Sequence, residues 1–295
     1  MMTTIGFIGL GTMGGPMAAN LVKAGYEVQG FDLIDEARQK ATDSGVHVAS
    51  SATAAAEGAS VLITMLPKGE HVRQALLGED SPLSVLPPGS IVIDSSTIDV
   101  PTTRDLHERG GSLGLKILDA PVSGGLAGAE AGTLTFMIGG ESETVDEVRE
   151  LFTTMGSRIV QAGGPGSGQV AKAANQMVFG SSLVALSEAF TFAERLGLSP
   201  EKLFDVLSTS SGDCWALHNF CPLPGLVEGS AADHDYAPKF AASLLAKDLG
   251  LAATAADSAG VELVVGLGAK SKLDELSVNS GHLDSSAVIT TVGVK

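Results

Sequence analysis

Along the first half of the chain, apolar residues fall into short continuous runs separated by stretches of helix formers. The runs at 5–8, 28–32, 61–65, 91–94, 115–119, 133–138 and 158–161 are rich in Val, Ile and Leu and predict strands. Several lack polar alternation, the mark of strands buried on both faces, so residues 1–162 predict an α/β domain whose doubly wound parallel sheet is covered by helices on both sides. From Gly168 onward the pattern changes. Helix formers dominate, and Gly197 followed by Ser199-Pro200 reads as one helix end and a fresh N-cap with Pro in the first turn. Residues 163–295 therefore predict an all-α domain. The Gly-rich segment 162–168 is the joint, and 169–196 predicts one long helix leaving it. The β-branched segment 261–267 fits a strand by propensity, but its helical surroundings predict a buried helix running on toward Ser280.

Composition narrows the partners. The chain has 295 residues, 44% of them hydrophobic and 18% charged, which suits one or two globular domains and excludes a disordered chain. Eighteen Lys and Arg stand against 34 Asp and Glu, a formal charge of -16. That sign disfavours nucleic acid and anionic membrane, so an anionic ligand must be met by isolated lysines or helix N-termini. Only Cys214 and Cys221 are present, which predicts a fold without a disulfide framework in a reducing compartment. The string Cys214-Trp-Ala-Leu-His218-Asn-Phe-Cys221 offers three metal ligands at no familiar spacing and reads as ordinary loop packing, so no metal is expected. No apolar run reaches the ~18 to 20 residues that span a bilayer, and the strand starting at Ile5 leaves no room for a leader. A cytoplasmic protein is the expectation.

The first strand runs into Gly9-Leu10-Gly11-Thr12-Met13-Gly14, a G-x-G-x-x-G that opens a predicted helix over 13–24 with Gly25 as its terminator. Such a turn brings backbone close to a pyrophosphate and points helix N–H groups at it. The second strand ends in Asp32, at the spacing of the carboxylate that bonds the adenosine ribose hydroxyls. An anion there repels a 2′-phosphate, and no Arg or Lys lies between Asp32 and Arg38, so this Rossmann-type domain is expected to take NAD rather than NADP.

The stretch Phe7-Ile-Gly-Leu-Gly-Thr-Met-Gly-Gly-Pro-Met-Ala-Ala-Asn20 resembles the signature of the β-hydroxyacid dehydrogenase family. Asp94-Ser-Ser-Thr97, Asp119-Ala-Pro-Val-Ser-Gly-Gly125, Gly168-Gln-Val-Ala-Lys172-Ala-Ala-Asn175 and Lys247-Asp-Leu-Gly-Leu-Ala252 continue the resemblance over nearly the whole chain. Among its branches, Ser210-Ser-Gly-Asp-Cys-Trp215 and Pro222-Leu-Pro-Gly-Leu-Val-Glu-Gly229 are most similar to the 3-hydroxyisobutyrate dehydrogenases. The resemblance implies oxidation of (S)-3-hydroxyisobutyrate to methylmalonate semialdehyde, a step of valine degradation, with Lys172 as catalytic acid/base. The chemistry agrees, since an alcohol giving up hydrogen to nicotinamide must also lose its hydroxyl proton. Lys172 and Asn175, three apart, share a helix face on which both can address one small substrate; a solvent-facing lysine is the alternative.

The same resemblance assigns the substrate carboxylate to Ser123, Gly124 and Gly125, whose exposed N–H groups can form a nest; an ordinary hairpin or strand turn is the rival account. It places Thr97 near nicotinamide and substrate, although Thr97 also suits a helix N-cap, a role for which Asp99 is better sited. Leu66 and Pro67 correspond to a corner packed against the cofactor. Phe240 and Lys247, two turns apart on one helix face, correspond to residues that close over cofactor and substrate, a core Phe and a surface Lys being the alternative, while Asp248 orients neighbours. Trp215 either walls the substrate pocket or packs in the core. Two departures stand out: Gln176 replaces a frequent second Asn, which puts the reach of that amide in doubt, and His71 stands where relatives often carry Asn and is given no role.

Two rival readings remain. One is a semialdehyde reductase acting on glyoxylate, succinate semialdehyde or tartronate semialdehyde; the other, of a different class, is a non-catalytic binding module on a Rossmann fold, against which the presence of Lys172 argues. The long helix and aliphatic second half also predict a homo-oligomer, dimer or tetramer.

Overall fold

Nine strands form one sheet in the computed structural model, which describes residues 4–293. They are β1 (Thr4–Ile8), β2 (Glu27–Phe31), β3 (His47–Val48), β4 (Val61–Thr64), β5 (Ile91–Asp94), β6 (Lys116–Asp119), β7 (Val122–Ser123), β8 (Leu134–Gly139) and β9 (Gly156–Gly163). The first six run parallel in the order β3-β2-β1-β4-β5-β6, which reverses between β1 and β4 as in doubly wound dinucleotide-binding domains. The sheet is not wholly parallel, however: β8 is antiparallel to β6 and β7, and β9 pairs parallel with β8. An apolar run reports burial of a strand but not its direction. Between β6 and β8 the only helix is the seven-residue Gly125–Ala131, shorter than the crossovers that return a chain for parallel pairing.

Alternation along the strands explains why both faces are covered. Ile5, Phe7, Ile63, Ile91, Ile93 and Leu118 enter one cluster with Met17, Leu21, Phe136 and Phe152. Their neighbours Ile8, Leu62, Val92 and Ile117 point the other way, into a second cluster with Val72, Leu76 and Leu106. Burying such aliphatic side chains contributes about 1.5 to 3 kcal/mol each before entropy is counted.

The chain divides into two compact units, one ending at Lys172 and the other starting at Ala173, and the helix Ser167–Arg195 contains the boundary. Among its described residues the second unit holds helices and one isolated bridge, Ala241 with Asp284, but no strand. Its core has two parts: Leu183 and Val184 pack with Leu245, Leu249, Leu273 and Leu276, while Leu186 and Phe190 pack with Leu217 and Cys221. The segment 261–267 departs from expectation. The helix begins only at Val264, and Val264 and Val265 are 72% and 71% exposed, because Gly266, Ala269, Leu273 and Leu276 take the inward face.

The last residue of β5, Asp94, is fully buried. Its Oδ1 accepts from Thr64 Oγ1 at 2.8 Å and Ser96 N at 3.1 Å, while Oδ2 has no hydrogen-bond partner. Burial pushes this carboxyl up to about 6; the Ser96 and Thr64 bonds pull it down, and the Asp119 charge adds a further upward push. A folded-state value above the unfolded one means that stability falls as pH rises through the window between about 4 and about 6, and that the cost is complete above it. Asp94→Asn removes the titration. Urea unfolding from pH 4 to 7 should show the variant gaining on wild type with rising pH, by up to about 3 kcal/mol; parallel stability curves would exclude the effect.

Candidate active site

The turn after β1 is built by what its glycines lack. Gly9 has φ +95°, and a Cβ there would strike the Met65 carbonyl; a Cβ on Gly14 would strike the Gly9 carbonyl and stand 3.0 Å from Phe7. These two positions close the turn and seat the helix Gly14–Lys23 against β1. Gly11 differs, since a Cβ there would meet no protein atom within 4 Å. Its open space is what a pyrophosphate approaching the backbone requires. The helix has neither a side-chain cap on its first turn nor an acid within it, so its N-terminal field is uncompensated.

Asp32 follows β2, and its carboxylate grips the turn: Oδ2 accepts the Leu10 N–H at 2.7 Å and Oδ1 the Ile34 N–H at 2.8 Å. A carboxylate has about four acceptor positions, so capacity remains for ribose hydroxyls. Arg38, the nearest cation in sequence, donates to the Asp32 carbonyl at 2.6 Å and pairs with Asp35. The open cradle at Gly11, the uncapped helix and the acidic group at Asp32 fit a dinucleotide. Thr12 and Met13 lie in the same turn, Thr12 exposed and Met13 half-buried.

Farther along the sheet, Leu66 and Pro67 leave β4, and Leu66 N–H donates to Ser96 Oγ at 2.9 Å. Thr97 is not a helix cap; Asp99 caps Val100–Ser112 by accepting the Thr102 N–H at 2.8 Å. Thr97 is instead bracketed by Gln169, which accepts the Ile98 N–H at 3.1 Å and donates to the Ser96 carbonyl at 2.8 Å. Lys172, one turn beyond Gln169 on the same helix, is 6% exposed, which excludes the solvent-facing alternative. Ser123 ends β7 and leads directly into the helix Gly125–Ala131. Gly124 and Gly125 both have positive φ, +137° and +63°, so the segment is a glycine-dependent turn into a helix N-terminus rather than a hairpin.

In the second unit, Asn175 Nδ2 donates to Gln176 Oε1 at 3.0 Å, and Gln176 Nε2 donates to Asp248 Oδ2 at 2.8 Å. Lys247 Nζ lies 3.1 Å from Asp248 Oδ1. Asp248 thus orients its neighbours, and the Gln176 amide that was in doubt does reach a partner. Phe240 corrects its expectation: the helix is Ala242–Ser258, so Phe240 lies before its first turn and shares no helical face with Lys247. Its N–H is held at 2.9 Å by the buried Asp284, which fixes the chain as a turn there. Trp215 is 60% exposed and so is not a core residue. Its ring meets Phe179 at 5.8 Å and Phe220 at 5.5 Å, and Phe179 also approaches Phe240 at 6.5 Å. Sequence reasoning missed Gln169 and Phe179; the spacing of Phe179, four residues after Asn175, was the available signal. Among the described residues, no group of three or more His, Cys, Asp or Glu is arranged to hold a metal, and no helix is long and apolar enough to cross a membrane.

A doubly wound sheet whose glycine turn and strand-end carboxylate fit a dinucleotide defines a dinucleotide-binding domain. Residues 4–164 match the family described as the NAD binding domain of 6-phosphogluconate dehydrogenase, and residues 166–292 match the NAD-binding family of NADP-dependent 3-hydroxyisobutyrate dehydrogenase. The chain is 45% identical, over 99% of its length and 98% of the relative's, to a probable 3-hydroxyisobutyrate dehydrogenase of Mycobacterium tuberculosis. It is 44% identical to an NAD-dependent L-serine dehydrogenase of Pseudomonas aeruginosa, over 90% of this chain and 89% of that one. A solved structure of the M. tuberculosis 3-hydroxyisobutyrate dehydrogenase with L-serine superimposes with a TM-score of 0.95, at 45% identity and full coverage of both chains. The chain belongs to the 3-hydroxyisobutyrate dehydrogenase family of NAD-dependent hydroxyacid dehydrogenases. Its cofactor is NAD.

The glycine geometry separates folding from binding. Gly14→Ala should lower stability by about 1 to 3 kcal/mol in urea unfolding, through the clash with the Gly9 carbonyl. Gly11→Ala should leave stability within about 0.5 kcal/mol but weaken NAD binding by roughly tenfold or more in titration calorimetry, because its new methyl occupies only the cradle. Equal effects of both variants on stability would contradict the assignment.

Proposed function

We propose that this chain oxidises the primary alcohol of (S)-3-hydroxyisobutyrate to methylmalonate semialdehyde, as a step of valine degradation. The observation that carries this reading is Lys172, an amine withdrawn from water on a helix whose preceding turn brackets Thr97. NAD, when bound, accepts the two electrons and the hydrogen of the carbinol carbon. Lys172 Nζ takes the hydroxyl proton as the carbonyl forms, which balances the oxidation. Thr97 and Asn175 orient the substrate oxygens, and Ser123 with the N–H groups of Gly124 and Gly125 binds the carboxylate. Gly9 through Gly14, Asp32, Leu66, Pro67, Thr97, Phe240 and Lys247 hold the cofactor.

Substrate choice turns on the group at C2, a methyl in 3-hydroxyisobutyrate and an ammonium in L-serine. The apolar rings of Phe179, Trp215, Phe220 and Phe240 support the methyl. L-serine is the second reading, favoured by the relative and the solved structure named with it, and aromatic faces also attract cations. A methylene is worth only about 1 to 3 kcal/mol, so related hydroxyacids should react more slowly rather than not at all. The two unpaired cysteines support a reducing, cytoplasmic setting. Exposed Phe192, Leu196, Val264, Val265 and Val278 support a homo-oligomer.

Steady-state rates with NAD should rank 3-hydroxyisobutyrate above L-serine and 3-hydroxypropionate in kcat/KM; faster turnover of either competitor refutes the substrate assignment. Lys172→Ala should reduce kcat by roughly 10² to 10⁴-fold while NAD affinity stays within about twofold, and substantial retained turnover would refute the acid/base role. A chain that turns over no hydroxyacid at all would favour the non-catalytic reading.

A further inference from the structure

Asp119 closes β6 and is 1% exposed. Its Oδ1 accepts the Gly166 N–H at 2.8 Å and faces His107 Nε2 at 2.9 Å, and its Oδ2 accepts the Gln169 N–H at 3.2 Å. A carboxylate only accepts, so the His107 nitrogen facing it carries the proton. A Cβ at Gly139 or Gly168 would stand 2.6 to 2.7 Å from these oxygens; the carboxylate fills room that two residues without side chains leave open. The helix Ser167–Arg195 has no acid in its own first turn. Asp119 supplies that missing anion from a neighbouring strand, bonding two N–H groups at the helix start.

The connection continues through Gln169, which is 2% exposed. Its backbone is held by Asp119, and its side chain holds the residues on either side of Thr97. Lys172 follows three residues later on the same face. From His107 to Lys172, every member lies within the first unit.

We propose that Asp119, steadied by His107 and acting through Gln169, is a positioning residue that fixes Thr97 and the Lys172 turn of the helix relative to each other. It touches no reacting atom. The proposal rests on the reading of Lys172 as the proton acceptor, so the test must separate the two. It uses the full chain with NAD and whichever panel substrate turns over fastest, unlabelled and deuterated at the carbinol carbon.

Gln169→Leu and His107→Leu should lower kcat by about ten- to a hundredfold, with KM changed less than about threefold and NAD affinity less than about twofold. The deuterium effect on kcat should rise, because the chemical step becomes rate-limiting when the groups are misplaced. His107→Gln, whose amide can still donate to Asp119, should recover kcat to within about threefold of wild type. Wild-type kcat in Gln169→Leu overturns the proposal, as does equal loss in both His107 variants. Loss that merely follows the folded fraction, with an unchanged deuterium effect, also overturns it and leaves Asp119 as a cap. Lys172→Ala run in parallel distinguishes the failures: retained turnover there defeats the acid/base reading itself, whereas an inactive Lys172→Ala beside a wild-type Gln169→Leu defeats the positioning role alone.

Discussion

A carboxylate at or just beyond the C-terminal end of a strand holds the loop that follows or adjoins it, and the first unit uses this interaction three times. Asp32 beyond β2 bonds the glycine turn through Leu10, Asp94 on β5 bonds Ser96, and Asp119 on β6 bonds the start of the Ser167–Arg195 helix. Loops at the ends of a parallel sheet leave backbone N–H groups without ladder partners, and a charged acceptor meets that need with bonds stronger than neutral ones. Cofactor turn, Thr97 segment and Lys172 helix are thus placed by anions that the sheet itself positions.

The three are not equivalent. Asp32 and Asp119 use both oxygens, whereas Asp94 leaves Oδ2 without a partner, and it is Asp94 whose carboxyl is pushed up by burial. Removing an anion from water is tolerable when donors replace the lost hydration and costly when they do not. The arrangement also bears on ligand charge. In a chain of formal charge -16, attraction for a dinucleotide's phosphates must come from short-range donors, here the uncapped helix and the turn at Gly11, since the long-range field opposes it.

What could be read in the sequence follows from the range of the forces involved. The strands other than β3 and β7 were legible as short runs, and Gly9, Gly11, Gly14 and Asp32 as a spaced set, because each signal lies within about 25 residues and reflects local backbone demands. The strands β3 and β7, two residues each, are too short to leave a pattern. The link from Gln169 to Ser96 and Ile98 spans more than 70 positions and joins a side chain to backbone, so no residue type at the receiving end announces it. Phe240 was misread for a related reason. Seven-residue spacing to Lys247 imitates a helix face, but Asp284, 44 positions away, captures the Phe240 N–H and holds it outside the helix.

The long helix does not carry a single amphipathic stripe. Its buried face begins with Gln169, Lys172 and Gln176 and continues with Leu183 and Phe190, spacings that keep all five on one side. The first three are polar groups removed from water; the two glutamines recover bonds to Ser96, Ile98 and Asp248, without which each would cost about 1 to 3 kcal/mol. The last two are ordinary core. One face therefore changes chemistry along its length, so an average over the helix reports neither the polar nor the apolar part. Lys172 lies on that polar stretch, between two amides whose bonds tie the helix to the Thr97 segment and to Asp248.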